Sequence, residues 1–157
     1  MVLNWNFNET WPTAAGNHII TWDHRKKPAY YAVKNALRMV MTSARNQKLM
    51  WYEGEVFEAE LWVLNDSFDK QHIGEIHAFL EIDGKEYGNI QWTIKEVQAQ
   101  ANVPGPIFRT TLPKATDGIM TLHLKVAGKG EMDSDYQFIY RSQKEKNECC
   151  GVRVLNQ

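Results

Sequence analysis

Aromatic and amide side chains are concentrated near the start of the chain, in the stretch Trp5-Asn6-Phe7-Asn8-Glu9-Thr10-Trp11-Pro12. An indole ring stacks against the C–H face of a pyranose, and amide groups pair with the sugar hydroxyls as donors and acceptors. This mixture favours sugar recognition over ordinary strand packing. The alternative interpretation is a tryptophan-rich turn that caps a hydrophobic core.

Composition and charge exclude several classes of partner. The 157 residues include 18 basic and 19 acidic side chains, for a formal net charge of −1, and 43% of them are hydrophobic. Such a balance provides no field that attracts a nucleic-acid backbone or an anionic membrane. No apolar run approaches the roughly 20 residues of a membrane span, and the N-terminus lacks the pattern of a signal peptide. We therefore expect neither nucleic acid nor membrane as a partner, and the compartment stays undetermined, with a secreted or periplasmic parent protein compatible with the sequence.

The first 46 residues must position the aromatic stretch. Residues 1–12 are predicted to form a short strand that ends at Pro12, and residues 13–27 a loop. Pro28 suits the first turn of a helix. Apolar residues at helical spacing predict that this helix continues to Arg45; they are Tyr30, Val33, Leu37, Val40, Met41 and Ala44. A tryptophan-rich strand so soon after Met1 indicates a segment of a longer protein.

From about Gln47 the hydrophobic period changes from helical to alternating, which predicts a domain boundary. Short alternating runs separated by turn signals follow at 47–52, 56–64, 73–82, 85–95, 107–112, 119–127 and 136–140. Asp83-Gly84 predicts a tight hairpin turn between two of them. About seven strands without a helix predict an immunoglobulin-like antiparallel β-sandwich.

The expected fold class is therefore mainly β. Residues 47–141 form the sandwich, and residues 1–46 form an irregular segment followed by one helix. The charged residues after Ser142 predict a flexible tail at 142–157. Cys149 and Cys150 lie in that tail, and because neighbouring residues rarely meet disulfide geometry, we interpret them as free thiols.

Two motifs precede the predicted sandwich in a fixed order: the stretch at 5–12, and then Lys27-Pro28-Ala29-Tyr30-Tyr31-Ala32. This order resembles the end of glycoside hydrolase family 2 enzymes, which include β-galactosidases, β-mannosidases and β-glucuronidases. In that family the last strand of the catalytic (β/α)8 barrel carries a Trp-Gln-x-Asn-Asp-x-Trp-Pro type motif. A helix that opens with Lys-Pro-x-Tyr-Tyr-Ala follows, and the chain then enters immunoglobulin-like domains. The resemblance covers residues 3–45 by motif and residues 47–141 by architecture alone.

The resemblance implies that residues 1–46 are the remnant of a catalytic barrel. Trp5 would be the aromatic platform under the sugar at the mouth of the barrel, and Asn8 a second substrate-binding residue. Asn6 stands where the family usually has Gln, and Glu9 where it usually has Asp. The family enzymes are retaining glycosidases whose two catalytic glutamates lie on earlier strands, roughly 5 Å apart. Because those strands are not part of this chain, we assign no catalytic residue, expect no cofactor, and expect no turnover by this fragment alone.

Trp62, His77 and Phe79 occupy outward positions on the predicted strands. An exposed pair formed by Trp62 and Phe79 would serve as an accessory sugar-binding patch or as a domain interface. Metal binding is not expected, since His72 and His77 differ by an odd number and so face opposite sides of a strand.

Two further patterns are weaker. The acidic loop at 131–135 lacks the glycine and distal glutamate of a calcium-binding loop, so a solvated turn is the preferred interpretation. Asn8-Glu9-Thr10 and Asn65-Asp66-Ser67 match the pattern of an N-glycosylation acceptor.

The preferred hypothesis is the C-terminal part of a retaining β-glycosidase, with a structural or accessory sandwich. Its expected partners are the remainder of the barrel and a carbohydrate substrate. Without the other barrel strands, residues 1–27 are expected to be irregular or to pair with another copy, so that self-association would involve residues 1–45. The apolar stripe of the helix would dock on the sandwich or on a second molecule. The rival hypotheses are a carbohydrate-binding module that acts on its own, and an adhesion or scaffold sandwich without a carbohydrate ligand.

Overall fold

The structure is a computed structural model that describes residues 6–12 and 16–142. The chain divides into two compact units, Met1–Arg38 and Met39–Gln157. Within the described residues, the first unit contains one helix and the second contains eight strands.

The helix α1 spans Pro28–Ala36 and begins with a proline in its first turn, as predicted. Beyond its end, the Leu37 N–H donates to the Val33 carbonyl at 3.0 Å. The predicted continuation to Arg45 is wrong, because Val40–Arg45 is a strand. Burial and cross-strand pairing override a local helical period when the two compete.

The apolar stripe predicted for α1 is only partly buried. Tyr30 and Val33 are half-buried, and Leu37, just beyond the end of the helix, is exposed. Docking of this stripe on the sandwich or on a second molecule therefore stays a prediction.

Two sheets make up the second unit. The strands are β1 Val40–Arg45, β2 Met50–Tyr52, β3 Val56–Asn65, β4 Gln71–Ile82, β5 Lys85–Val97, β6 Ala101–Thr111, β7 Gly118–Val126 and β8 Ser134–Arg141. The three-stranded sheet has the order β1-β3-β6, and the five-stranded sheet has the order β2-β8-β7-β4-β5. Neighbouring strands are antiparallel except for β2 and β8, which are parallel. The mainly β, two-sheet sandwich predicted from the alternating pattern is confirmed.

The first strand moves the start of the sandwich. β1 pairs with β3 from Val40 opposite Asn65 to Arg45 opposite Glu60. The sandwich therefore begins before the boundary expected between residues 46 and 47, and the chain divides into its two compact units after Arg38. A short 3₁₀ turn at Gly130–Met132 is also present in a region where no helix was expected.

The core lies between the sheets, and its residues follow the period of two that was predicted. Buried side chains alternate along three long strands: Phe57, Ala59, Leu61 and Val63 of β3, Ile76, Ala78, Leu80 and Ile82 of β4, and Met120, Leu122, Leu124 and Val126 of β7. The Asp83-Gly84 turn between β4 and β5 has positive φ at both residues, 51° and 71°, as a tight hairpin requires.

Exposed sheet edges are protected against pairing with other chains. The edge strand β6 contains Pro104 and Pro106, which lack a backbone donor, and the edge strand β5 contains Lys85 and Lys95. At the end of β8, the Ser142 N–H donates to the Asp117 carboxylate at 2.6 Å. The rest of the predicted tail, with Cys149 and Cys150, lies outside the described residues.

Candidate functional site

The aromatic and amide stretch lies in a compact arrangement of short backbone segments within Met1–Arg38. Asn8 forms an isolated parallel bridge with Ile20, and Ile20 forms an antiparallel bridge with Lys26. The Glu9 N–H donates to the Ile20 carbonyl at 3.0 Å, and the Ile20 N–H donates to the Phe7 carbonyl at 3.1 Å. Among residues 6–12, this bridge replaces the short strand that was predicted, and the backbone is otherwise irregular, as was also predicted.

A buried contact between Glu9 and His18 holds these segments together. Glu9 Oε1 lies 2.9 Å from His18 Nε2, and both side chains are more than nine-tenths buried. Glu9 Oε2 accepts a hydrogen bond from the Trp22 N–H at 3.2 Å. The carboxylate thus connects its own segment to two positions in the following loop, which is a positioning role. Sequence reasoning set Glu9 apart from the catalytic glutamates, but it did not identify His18, because the loop shows no periodic pattern that marks a partner.

The turn that follows is fixed by its own polar groups. The Thr21 N–H donates to the Arg25 carbonyl at 2.9 Å, and the Arg25 N–H donates back to Thr21 Oγ1 at 3.0 Å. The Thr21 hydroxyl also donates to the Asp23 carboxylate, which lies 2.6 Å from Arg25 Nε. The hydrogen bond from Thr21, with a further contribution from Arg25, lowers the pKa of Asp23. His24 completes the turn in the left-handed region with φ 63°.

The predicted substrate-binding residues have different outcomes. Trp5 lies outside the described residues. Asn8 is exposed, and exposed aromatic side chains occur close by in sequence at Phe7, Trp11 and Trp22. The described part of this unit therefore presents aromatic rings and an amide to solvent, the combination that sugar recognition uses.

Trp62 and Phe79 do not form one patch. Trp62 lies on β3 of the three-stranded sheet and Phe79 on β4 of the five-stranded sheet, and both point away from the core. Their faces of the sandwich are opposite, and each side chain is partly buried. The expectation of an exposed aromatic pair is therefore wrong in its geometry.

Phe79 contacts two imidazole rings on the outer face of its sheet. Its ring centroid lies 5.0 Å from that of His77, whose ring is tilted by 37°, and 4.9 Å from that of His123, whose ring is stacked at 28°. These two contacts reduce the surface of the phenyl ring that a pyranose could reach. Local spacing did not identify His123, because its position opposite Phe79 depends on the register of β4 and β7.

Charged groups surround His123. His123 Nδ1 lies 2.7 Å from the Asp135 carboxylate, and His123 Nε2 lies 3.7 Å from Glu81. Lys125 Nζ contacts the same Asp135 oxygen at 2.9 Å. Burial raises the pKa of Asp135, but the hydrogen bonds and charges of Lys125 and His123 outweigh burial and lower the pKa overall. The arrangement stabilises the sheet face.

The second glycosylation pattern falls on a buried residue. Asn65 is 0% exposed, and its amide nitrogen donates to the carbonyls of Asp69, Val97 and Gln98. Its carbonyl oxygen accepts from the backbone and hydroxyl of Ser67. This amide therefore joins two loops of the sandwich and is not available to a glycosyltransferase in the folded protein.

Residues 6–12 and 16–142 contain no group of three or more His, Cys, Asp or Glu placed to hold a metal ion. No helix in those same ranges has the length and apolar character needed to span a bilayer.

The fold and the site define a β-sandwich preceded in the chain by a loop-and-helix unit with exposed aromatic and amide groups. The chain is 34% identical over 91 residues to Beta-mannosidase B of Aspergillus niger, a match that covers 54% of this chain and 10% of that enzyme. Its fold is similar to part of the β-D-mannosidase of Dictyoglomus thermophilum, with a TM-score of 0.56, 21% identity, and coverage of 86% of this chain and 16% of that one.

The chain thus spans a small part of the length of both relatives. A CARDB domain from Pyrococcus furiosus has a lower similarity, with a TM-score of 0.45, 10% identity, and coverage of 66% of this chain and 94% of that domain. No protein-family model matches the chain. These comparisons relate the chain to glycosidases of the β-mannosidase type by similarity.

Proposed function

We propose that this chain is the C-terminal part of a retaining β-glycosidase of glycoside hydrolase family 2. Residues of Met1–Arg38 complete the sugar pocket of the parent enzyme, and the sandwich is a structural domain. The observation that carries the proposal is the 34% identity over 91 residues to Beta-mannosidase B. The fold similarity to a second β-mannosidase, over 86% of the chain, agrees with it.

The local geometry supports a binding role for the first unit. Asn8 is exposed, and its backbone is fixed through the bridge to Ile20. The neighbouring carboxylate of Glu9 is engaged with His18 and Trp22, and so it is not presented as a nucleophile or a proton donor. Asn8 and Trp5 therefore bind the sugar, while the catalytic carboxylates belong to barrel strands elsewhere in the parent enzyme.

The strand order supports an immunoglobulin-like assignment of the sandwich. Constant-type immunoglobulin domains place their first, second, fourth and fifth strands in one sheet and the third, sixth and seventh in the other. With β2 counted as a short continuation of β1, the three-stranded sheet has the first, second and fifth strands, and β4, β7 and β8 provide the third, sixth and seventh. The fourth strand, β5, differs from that pattern, because it pairs with β4 in the second sheet. The protected edges of β5 and β6 fit a domain that packs within a larger enzyme rather than one that pairs with other chains.

The substrate class follows from the relatives. Both of the β-mannosidases act, by their names, on β-mannosides. We therefore propose a β-mannoside as the substrate of the parent enzyme, ahead of a β-galactoside or a β-glucuronide.

The test is to express the uninterrupted open reading frame that contains this chain. The full-length product should hydrolyse p-nitrophenyl β-D-mannoside, and NMR should show that the anomeric configuration is retained. The 157-residue chain alone should not hydrolyse this substrate. Trp5→Ala should abolish most of the activity. Phe68→Ala is the control, because that exposed side chain lies on a loop of the second unit. A reading frame without a preceding barrel, or a folded product without glycosidase activity, refutes the proposal.

Isothermal titration with the chain alone decides the rival binding-module hypothesis. The proposed function predicts that the 157-residue chain alone does not bind soluble oligosaccharides. Measurable affinity that is lost in Trp62→Ala would instead identify a carbohydrate-binding module.

A further inference from the structure

Trp22 is a large aromatic residue that the fold leaves exposed in a polar environment. Its side chain is 52% exposed. Its neighbours in the turn are Thr21, Asp23, His24 and Arg25, all of which are hydrophilic. An indole that packs against another barrel element would have apolar neighbours on the same surface, whereas an indole among hydroxyl, carboxylate and guanidinium groups matches the mixed surface of a sugar.

The backbone of Trp22 is held by the stretch that resembles the substrate-binding motif. Its N–H donates to Glu9 Oε2 at 3.2 Å, and Glu9 is the residue after Asn8. The other oxygen of Glu9 is fixed by the buried His18. A carboxylate held by two partners has little freedom to move, so the Trp22 backbone has a defined position relative to Asn8.

The path of the chain limits how far Trp22 lies from Asn8. Asn8 forms a bridge with Ile20, and Trp22 lies two residues further along the chain. Bridged backbones lie about 5 Å apart and two residues of backbone reach at most about 7 Å, so the Cα atoms of Asn8 and Trp22 lie within about 12 Å of each other. This range fits two side chains that face neighbouring rings of one oligosaccharide.

We propose that Trp22 is a second aromatic sugar-contacting residue of the pocket, and that Glu9 and His18 are the positioning residues that hold it. Its ligand is the sugar residue adjacent to the one bound through Asn8, in a β-linked manno-oligosaccharide. The inference rests on the proposed function and extends it from a monosaccharide site to an oligosaccharide site.

The test compares two substrates of the full-length gene product, β-1,4-mannobiose and methyl β-D-mannoside. The methyl glycoside has no second sugar ring. Trp22→Ala should raise KM for mannobiose by about tenfold, as expected for the loss of one stacking contact. It should change KM for the methyl glycoside by less than about twofold, because no second ring is present to stack. Phe68→Ala is the matched control and should change neither value.

The positioning role has its own readout. Glu9→Gln keeps an oxygen that accepts from the Trp22 N–H. Its KM for mannobiose should therefore stay close to that of the wild-type enzyme. Glu9→Ala should reproduce the Trp22→Ala effect, and the double variant should be no worse than either single variant, because the two changes remove one contact. Additive effects on KM would mean that Glu9 acts on binding independently of Trp22, and a lower melting temperature with both KM values unchanged would mean that Glu9 acts only in folding. Either result would overturn this part.

The outcomes separate the inference from the proposed function. Inactive wild-type enzyme refutes the proposed function. Active wild-type enzyme with unchanged mannobiose kinetics in Trp22→Ala refutes the inference alone, as does an equal rise in KM for both substrates. If Trp22→Ala loses its cooperative thermal transition, Trp22→Phe takes its place in the test. Phe keeps a smaller aromatic ring, so we expect KM to rise by about threefold for mannobiose only. An unchanged KM for mannobiose in Trp22→Phe would overturn the proposal.

Discussion

Replacing Asn65 should destabilise the sandwich more than any conservative surface change. The side chain is 0% exposed and lies at the end of β3. Its amide nitrogen reaches three backbone carbonyls, at 2.9 Å to Asp69, 3.3 Å to Val97 and 2.9 Å to Gln98. Its oxygen accepts from Ser67 at 3.1 Å through the backbone and at 2.6 Å through the hydroxyl. One amide thus joins the loop after β3 to the loop after β5.

The magnitude follows from which of these partners water can reach. Four of the five bonds are only partly buried, so in Asn65→Ala water can replace much of each, at a cost of about 0.5–1 kcal/mol per bond. The bond to Val97 is buried, and an orphaned carbonyl there costs about 1–3 kcal/mol. Asn65→Ala should therefore lower the free energy of unfolding by about 3–7 kcal/mol, a large part of the stability of a typical domain.

The assay is urea unfolding followed by far-UV circular dichroism, with the midpoint and slope fitted separately. Asn102→Ala is the control, since that asparagine is exposed on β6, and it should stay within about 0.5 kcal/mol of wild type. Asn65→Asp provides a second comparison, because its carboxylate would face three carbonyl oxygens. The folded-state pKa of the introduced group would be raised, so its destabilisation should shrink as the pH falls and grow as the pH rises. If Asn65→Ala lowers the free energy of unfolding by less than about 1 kcal/mol, the Asn65 amide does not stabilise the junction of these two loops as argued.

Two further substitutions test local energetics. Asp135→Asn should reduce stability at neutral pH, because the folded-state pKa of Asp135 is lowered, so that its contribution is fully present above the unfolded value of about 3.8 and is lost as the pH falls through the lowered pKa. Urea midpoints of wild type and variant should converge as the pH falls through the folded-state pKa, and a gap that does not change with pH contradicts the ion-pair account. Gly88→Ala should cost about 1–3 kcal/mol in thermal unfolding, since φ is +64° and a Cβ would lie 2.9 Å from Phe108 Cζ and from Thr110 Cβ. Gly74→Ala, with φ +101° and no atom within 4 Å of the new Cβ, isolates strain from contact, so equal losses would mean that the close approach is unimportant.

The strands were predictable where apolar and polar residues alternate along the sequence. Alternation in β3, β4 and β7 identified the buried sides, because side chains on a strand point to opposite faces in turn. The Asp83-Gly84 turn was predictable because its residues tolerate positive φ. β1 was not, since its apolar residues fit a helical stripe as well as a strand. The pairing of Val40 with Asn65 that decides between them is a contact across 25 positions of sequence.

The candidate site shows the same limit at the level of side chains. The outward position of Phe79 was predicted, but its contact with His123 was not, because that contact depends on the register of β4 and β7. His18 was missed for a similar reason. An irregular loop carries no period, so nothing local indicated that its histidine would meet Glu9 in the interior.

The structure distributes aromatic groups unequally between the two units, and this bears on where sugar specificity would arise. In the sandwich, Phe79 contacts two imidazole rings, and Trp62 is half-buried on the opposite face, so neither pairs with the other in an open platform. In Met1–Arg38, exposed indoles occur close to a fixed amide and a network of polar groups. Under the proposed function, substitutions in the sandwich should therefore change stability and leave KM alone. Substitutions at Asn8 or Trp22 should change KM, since these side chains and not the sheet faces have free surface for a pyranose.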